Sequence, residues 1–410
     1  MKKVLTVLCL VLSLCIALSC AALAETREAE YLNVKYDIPE FDAQVDLASF
    51  NAALAALNAP PVEAETLTLA DAVVGAIRLA GMEELALSYI HDDVPRKAAN
   101  VLAEESVSVA DEYAPYVACA LDLDLVDDDA DFAAAPTGRE AAEMLYRAAE
   151  IAGKARRYVG RVDDDDILPR LNAVLSTLII FDDEELTNLG TEIVLRGAAT
   201  GYNLKYDNYD ANFLPKYTLK YGHSDLSHAL QLVALLDSEG FDAYIQIEPK
   251  VSVYEYMIEW GEPGEPTPTY AVHQVSDDRY LAYAVEYDML LEFDTVKEKE
   301  AFHNLVETYA KVYDDSYDAD GNRTEKLIAG SWWQPLYSST TAMQNEEFAE
   351  MVDNVVHCAD GYSIHPFSLP EGTQAVADVV AEVEPELSVD PQTIYVNPAF
   401  YRYTLGTDHQ

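Results

Sequence analysis

Asp225-Leu-Ser-His-Ala-Leu-Gln-Leu-Val-Ala-Leu-Leu-Asp-Ser-Glu-Gly240 runs directly into Phe241-Asp-Ala-Tyr-Ile-Gln-Ile-Glu248, and the hydrophobic period changes at the junction. In the first stretch Leu226, Ala229, Leu230, Leu232, Val233, Leu235 and Leu236 form a wide apolar face at helical spacing, which predicts a mostly buried helix. Ser224 stands at its start and Gly240 at its end. The second stretch alternates as a strand does. Tyr270 to Val275 and Tyr280 to Phe293 are further strand candidates, rich in aromatic and β-branched residues that suit an antiparallel sheet. A buried helix feeding such a sheet predicts an α+β fold here.

Upstream the pattern is helical and repeats. Thr68-Leu-Ala-Asp71 opens a helix that closes at Gly81, and Thr137-Gly-Arg-Glu140 opens another that closes at Gly153. In each an acid stands three residues after a threonine, the signature of a capped N-terminus, and a glycine marks the C-terminus. Between the copies lie Asp93-Val94-Pro95 and the apolar helical run Ala110 to Val126. Residues 64–155 resemble an S-layer homology region, whose pattern is Thr-Arg-Ala-Glu, an Asp-Val-Pro turn, a helix ending in Gly-Leu-Val, and a second Thr-Arg-Ala-Glu. Here Asp124 stands where that glycine would. The resemblance implies a small all-α module and a cell-wall polymer as partner.

The whole chain has 410 residues, 50% of them hydrophobic, so it can bury a core. Its 73 acidic residues against 26 basic ones give a net charge of −47, which repels phosphate backbones and argues against nucleic-acid binding. Lys2 and Lys3, the apolar run Val4 to Leu18 and Ala22-Leu23-Ala24 read as a secretory signal cleaved after Ala24, with lipidation at Cys20 as the competing reading. No later stretch is long and apolar enough to span a membrane. A secreted or cell-surface location follows. Cys119 and Cys358 remain after cleavage. Cys119 lies in an apolar run and reads as a small buried hydrophobe, with a bridge to Cys358 as the alternative.

The expected organisation is a signal at 1–24, an approach segment at 25–63, the helical module at 64–155, an α+β domain at 156–300, and an elaboration at 301–410 packed on it. Asp163 to Asp166 read as a solvated linker. Phe348 to Val356 suggests a helix, and Pro366, Pro370, Pro385, Pro391 and Pro398 predict loops for much of the tail.

The α+β stretch resembles a transglutaminase-like, papain-type core. That family places Gly-x-Cys before a buried helix, a histidine on a following strand and an aspartate on the next. Gly222-His-Ser224, His273 and Asp294 stand at those positions, with serine in place of cysteine. A thiol at a helix N-terminus ionises beside an imidazolium, whereas a serine hydroxyl needs general-base help and an aligned oxyanion hole. The resemblance therefore implies a non-catalytic binding or scaffolding domain. The alternative is a serine-dependent hydrolase or acyl transferase with Ser224 as nucleophile, His273 as base and Asp294 as orienter. Taken singly, Ser224 is also a good helix cap.

No cofactor is expected. His223, His228 and His273 lack zinc spacing. Ser316, Asp318 and Asp320 before Gly321 match the opening of a calcium loop, but Leu327 replaces the bidentate glutamate, so a plain turn is the simpler reading. Trp332-Trp333 offers a sugar-stacking platform or a divided core pair. Partners beyond wall polymer, a surface protein or a peptide are not indicated.

Overall fold

A computed structural model of the chain describes residues 26–90, 97–177, 182–223, 226–258, 261–276, 278–309 and 336–405. The expected leader, the Asp93-Val94-Pro95 turn, Ser224, the calcium-loop candidate Ser316, Asp318 and Asp320, and Trp332-Trp333 lie outside these residues. The chain divides into two compact units after Arg156, beside the expected boundary.

The first unit is built from α1 (Arg27–Tyr36), α2 (Leu47–Ala56), α3 (Leu69–Leu79), α4 (Glu83–Ser88), α5 (Ala98–Glu104), α6 (Ala114–Asp122) and α7 (Gly138–Ile151). Both threonine signatures form reciprocal caps. Thr68 Oγ1 accepts from the Asp71 amide at 3.2 Å while the Asp71 carboxylate accepts from the Thr68 amide at 3.0 Å. Thr137 and Glu140 repeat this at 3.2 and 2.7 Å. Asp124 takes φ 54°, the left-handed position at which the resembled pattern has glycine. Aspartate tolerates that region better than most side chains. Thr137→Ala should cost about 1 kcal/mol of this unit's stability. Thr68→Ala should cost more, because its partner Asp71 is buried and also accepts from Tyr113 Oη at 2.7 Å. Chemical denaturation of both variants checks the order.

The segment 25–63 is not an approach to this unit but part of its core. Tyr31 is fully buried, edge-on to Tyr146 at 5.2 Å, with the Arg156 guanidinium 4.6 Å above its ring. Phe50 and Leu54 are fully buried against α3, where a Cβ on Gly75 would lie 3.0 and 3.1 Å from them. Asp42 and Phe41 cross the start of α7, and their carbonyls would stand 2.7 and 2.9 Å from a Cβ on Gly138. Glycine after Thr137 thus makes room for the chain entering α2. Cys119 is buried, and burial, then the Asp122 charge, pushes its thiol up to about 11. Cys119 and Cys358 are both free thiols.

The second unit is α+β, and every strand pairing in it is antiparallel. Its strands are β1 (Gly160–Arg161), β2 (Gly201–Tyr206), β3 (Thr218–His223), β4 (Ala243–Tyr256), β5 (Tyr270–Ser276), β6 (Arg279–Phe293), β7 (Leu336–Ser339), β8 (Ala349–His357), β9 (Tyr362–Ser368) and β10 (Val389–Val396). Its helices are α8 (Ile167–Ser176), α9 (Glu184–Leu195), α10 (Leu226–Ser238), α11 (Val296–Tyr309), α12 (Thr373–Val383) and α13 (Pro398–Thr404). The order β4-β2-β9-β8-β10-β7-β3-β6 closes back on β4 as an eight-stranded barrel, with β1 flanking β4 and β5 flanking β6.

Four of those eight strands come from 301–410, so the tail is half the barrel wall rather than an elaboration on it. Phe348 to Val356, expected as a helix, falls on β8 from Ala349 onward. Its β-branched Val352 and Val356 pair with partners on both sides and Val355 with β10, and tertiary pairing overrides the local pattern. Pro366 and Pro391 sit within β9 and β10 rather than in loops. The Pro366 carbonyl accepts from Asn354 Nδ2 at 2.9 Å. Asp164, in the expected solvated linker, accepts from the Arg161 amide and Arg170 Nη1, both at 2.9 Å.

The barrel wears its apolar face outward. Tyr202, Leu204, Val356 and Ile364 lie beneath α9 and α12, joined by Leu189, Ile193, Val376 and Val380. Tyr221, Ile245, Ile247, Met289, Leu291 and Phe293 pack with Leu171, Leu232, Leu236 and Phe302 from α8, α10 and α11. A Cβ on Gly190 would stand 2.5 Å from the Tyr202 ring, so α9 approaches the sheet closely only because that residue is glycine. Among the described residues no helix is long and apolar enough to cross a membrane.

Candidate functional site

Strand alternation sends the other set of side chains into the barrel. On β2 these are Asn203 and Lys205, on β4 Glu248, Lys250 and Ser252, on β6 Glu286 and Asp288. The register places Lys250 opposite Glu286, Glu248 opposite Asp288, and Lys205 opposite both Lys250 and Ser363. Lys205 donates to Asp288 and reaches Glu248 at 3.5 Å, while Lys250 donates to Asp288 at 2.8 Å. Ser252 donates toward Glu286 at 2.7 Å and lies 2.9 Å from Asn203 Oδ1. Gly222 on β3 leaves room for this cluster, since a Cβ there would stand 3.2 Å from both Asp288 Oδ1 and Lys250 Nζ.

Burial would raise the Asp288 carboxyl, but the fields of Lys205, then Lys250, hold it well below the carboxylate range. Burial would likewise lower the Lys205 ammonium, and Asp288 and Glu248 hold it above its ordinary value. Asp288 and Lys205 are therefore both held in their charged forms. Segment 207–217 lies against one end of it. The Ala211 amide donates to Glu248 at 3.1 Å and the Leu214 amide to Glu292 at 3.2 Å, and Ala211 and Phe213 pack on Leu290.

A second polar chain runs along β8 and β9. His365 Nδ1 faces the Asp353 carboxylate at 2.9 and 3.2 Å, and His365 Nε2 lies 3.1 Å from Ser363 Oγ. Ser363 Oγ is also 3.1 Å from Asp207 Oδ1, whose other oxygen is 3.3 Å from His357 Nδ1. Burial would raise the Asp353 carboxyl; His365, with Lys220 and Lys205 adding to it, draws it below its ordinary value.

His273 and Asp294, singled out from the sequence, do not come together. His273 is exposed on β5, its ring edge-on to Tyr283 at 5.2 Å, and pairs opposite Leu281 near the start of β6. Asp294 follows the far end of that strand, roughly 40 Å further along it at the usual rise per residue. It is exposed and accepts from Arg161 Nη2 at 3.1 and 3.0 Å. Arg161 also donates to Asp242 and lies 4.5 Å over the Tyr244 ring. Asp294 thus ties β1 to the end of β6, and a long strand separates it from the histidine it was expected to orient. His228 is buried on α10.

Sequence reasoning missed Lys205, Lys250, Asp288, Asp353, Ser363 and His365. Their signal was the alternation itself: Ile245-Gln-Ile-Glu-Pro-Lys-Val-Ser-Val253 is a clean two-residue pattern, and period alone does not say which half faces inward. No protein-family model matches the chain, and no curated protein and no solved structure matches it.

Proposed function

We propose that this is an exported protein of the bacterial cell envelope, with an S-layer-homology-like helical unit and a transglutaminase-like unit that binds or scaffolds without acyl-transfer chemistry at Ser224, His273 and Asp294. The observation that carries the second half is the separation of His273 from Asp294 along β6, together with the engagement of Asp294 by Arg161. A base without its orienter, far from the residue meant to supply it, cannot run a serine triad. The paired caps at Thr68 and Thr137 and the left-handed Asp124 support the helical half. A cell-wall polymer or a surface protein is the partner class.

Two measurements test this. Ser224→Ala and His273→Ala should leave reaction with a fluorophosphonate unchanged in rate and stoichiometry; loss of an adduct in either variant would restore the enzyme reading of those residues. The mature chain should sediment with purified Gram-positive-type cell walls. Recovery entirely in the supernatant would remove wall polymer as the partner.

A further inference from the structure

We propose that Ser363, His365 and Asp353 form a nucleophilic acyl-transfer site inside the barrel, distinct from the residues the sequence singled out, and that its substrate class is a carboxylic ester. The geometry supplies the nucleophile, base and orienter of a serine relay. The Asp353 carboxylate is acceptor-only, so it fixes the proton of His365 on Nδ1. In the neutral ring Nε2 is then an acceptor, and it faces Ser363 Oγ at hydrogen-bond distance. Ser363 and His365 are two apart on β9 and share its inner face, while Asp353 comes from the neighbouring strand, so the sheet itself holds all three. A strand-borne constellation is held more rigidly than a loop-borne one. Ser363 is 1% exposed, whereas the His365 and Asp353 side chains keep 13% and 11% of their surface. Water therefore touches the base and its orienter.

Asp207 decides whether the hydroxyl is available. Ser363 has one proton and two acceptors within 3.1 Å, His365 Nε2 and Asp207 Oδ1. When the hydroxyl donates to Asp207 it is turned away from its base. Asp207 follows β2 and its side chain is 46% exposed, so it can turn to solvent without disturbing the ladder. Its departure frees the proton for His365.

In the reaction, Ser363 Oγ bonds to the ester carbonyl carbon as its proton passes to His365 Nε2. The carbon–alkoxy bond breaks, and the leaving alkoxide takes that proton as the free alcohol. Water then attacks the acyl-serine, giving a proton to His365 that returns to Ser363 Oγ as the carboxylic acid leaves. His365 and Ser363 are the catalytic residues, and Asp353 positions the ring.

The test treats the mature full-length chain with an alkyl fluorophosphonate and with p-nitrophenyl acetate. The expected result is a one-to-one adduct on the peptide carrying Ser363, absent in Ser363→Ala, slowed at least a hundredfold in His365→Gln and accelerated in Asp207→Ala. Asp353→Asn should slow acylation and move its pH profile, which a purely structural role would not do. Circular dichroism confirms that each variant is folded. Wild type and Asp207→Ala both folded and both unlabelled would overturn the proposal, as would an adduct that survives Ser363→Ala. An adduct lost in Ser224→Ala but kept in Ser363→Ala overturns it and the proposed function together. One lost only in Ser363→Ala supports the relay and leaves the reading of Ser224 intact.

Discussion

Asp288→Asn should lower the stability of the barrel unit by about 3–5 kcal/mol, the range for breaking a buried ion pair from one side. Asp288 is 3% exposed and is the shared partner of Lys205 and Lys250. Its removal strands Lys250 in the barrel and leaves Lys205 with the longer contact to Glu248. The cost comes from the orphaned ammonium rather than from the attraction lost. Replacing Asp288 by Leu and Lys250 by Met together should therefore recover most of the loss, because Lys205 keeps Glu248 and the orphaned ammonium is gone. The sign of the pH dependence follows from the depressed Asp288 carboxyl. Its stabilisation is fully present above the unfolded value near 3.9 and is lost as pH falls from there toward its folded value. Asp353, also depressed, adds the same slope. Urea unfolding between pH 2 and 7 should show a steep acid limb in the wild type and a shallower one in Asp288→Asn. Equal slopes would mean that the cluster is not ionised in the folded barrel.

Phe50→Ala is the second large effect, about 3–5 kcal/mol for a fully buried aromatic. Phe50 is 0% exposed and packs where α3 has no side chain at Gly75. The expectation that residues 25–63 merely approach the helical unit predicts a change within about 0.5 kcal/mol, as for surface sites. A transition of the first unit shifted by several kcal/mol distinguishes core from connector without ambiguity.

The helical unit was the more legible half, because its information is local. Thr68 with Asp71 and Thr137 with Glu140 are contacts three residues apart, and a threonine cap can be read without knowing the partner helix. α10, β5 and β6 were equally visible from period alone. What failed was non-local. Val352, Val355 and Val356 suit a helix or a strand, and only pairing with β9 and β10 decides. Asp294 looked like a triad orienter until Arg161, distant in sequence, was seen beside it. The barrel interior was hidden because alternation was visible and the covered face was not. Alternation says that Lys250 and Ile245 point oppositely; it does not say which side the helices cover. The Ser363–His365 spacing, two residues apart on one strand, was present in the sequence and carried no weight until Asp353 came from β8 to complete it.

Closure of the barrel has a consequence for how the chain is made. β2 finds its outer neighbour only in β9, and β3 only in β7, so a ribosome that has released residues up to β6 presents an open half-cylinder with two bare edges. Such edges template pairing with other chains. A chain synthesised from its N-terminus passes through that state each time, and must keep it from aggregating until the last four staves arrive. Translation stopped after Phe293 should therefore yield not a smaller soluble domain but a precipitate, and folding of the full chain should gain from a chaperone that shields β2 and β3 until the C-terminal strands seal them.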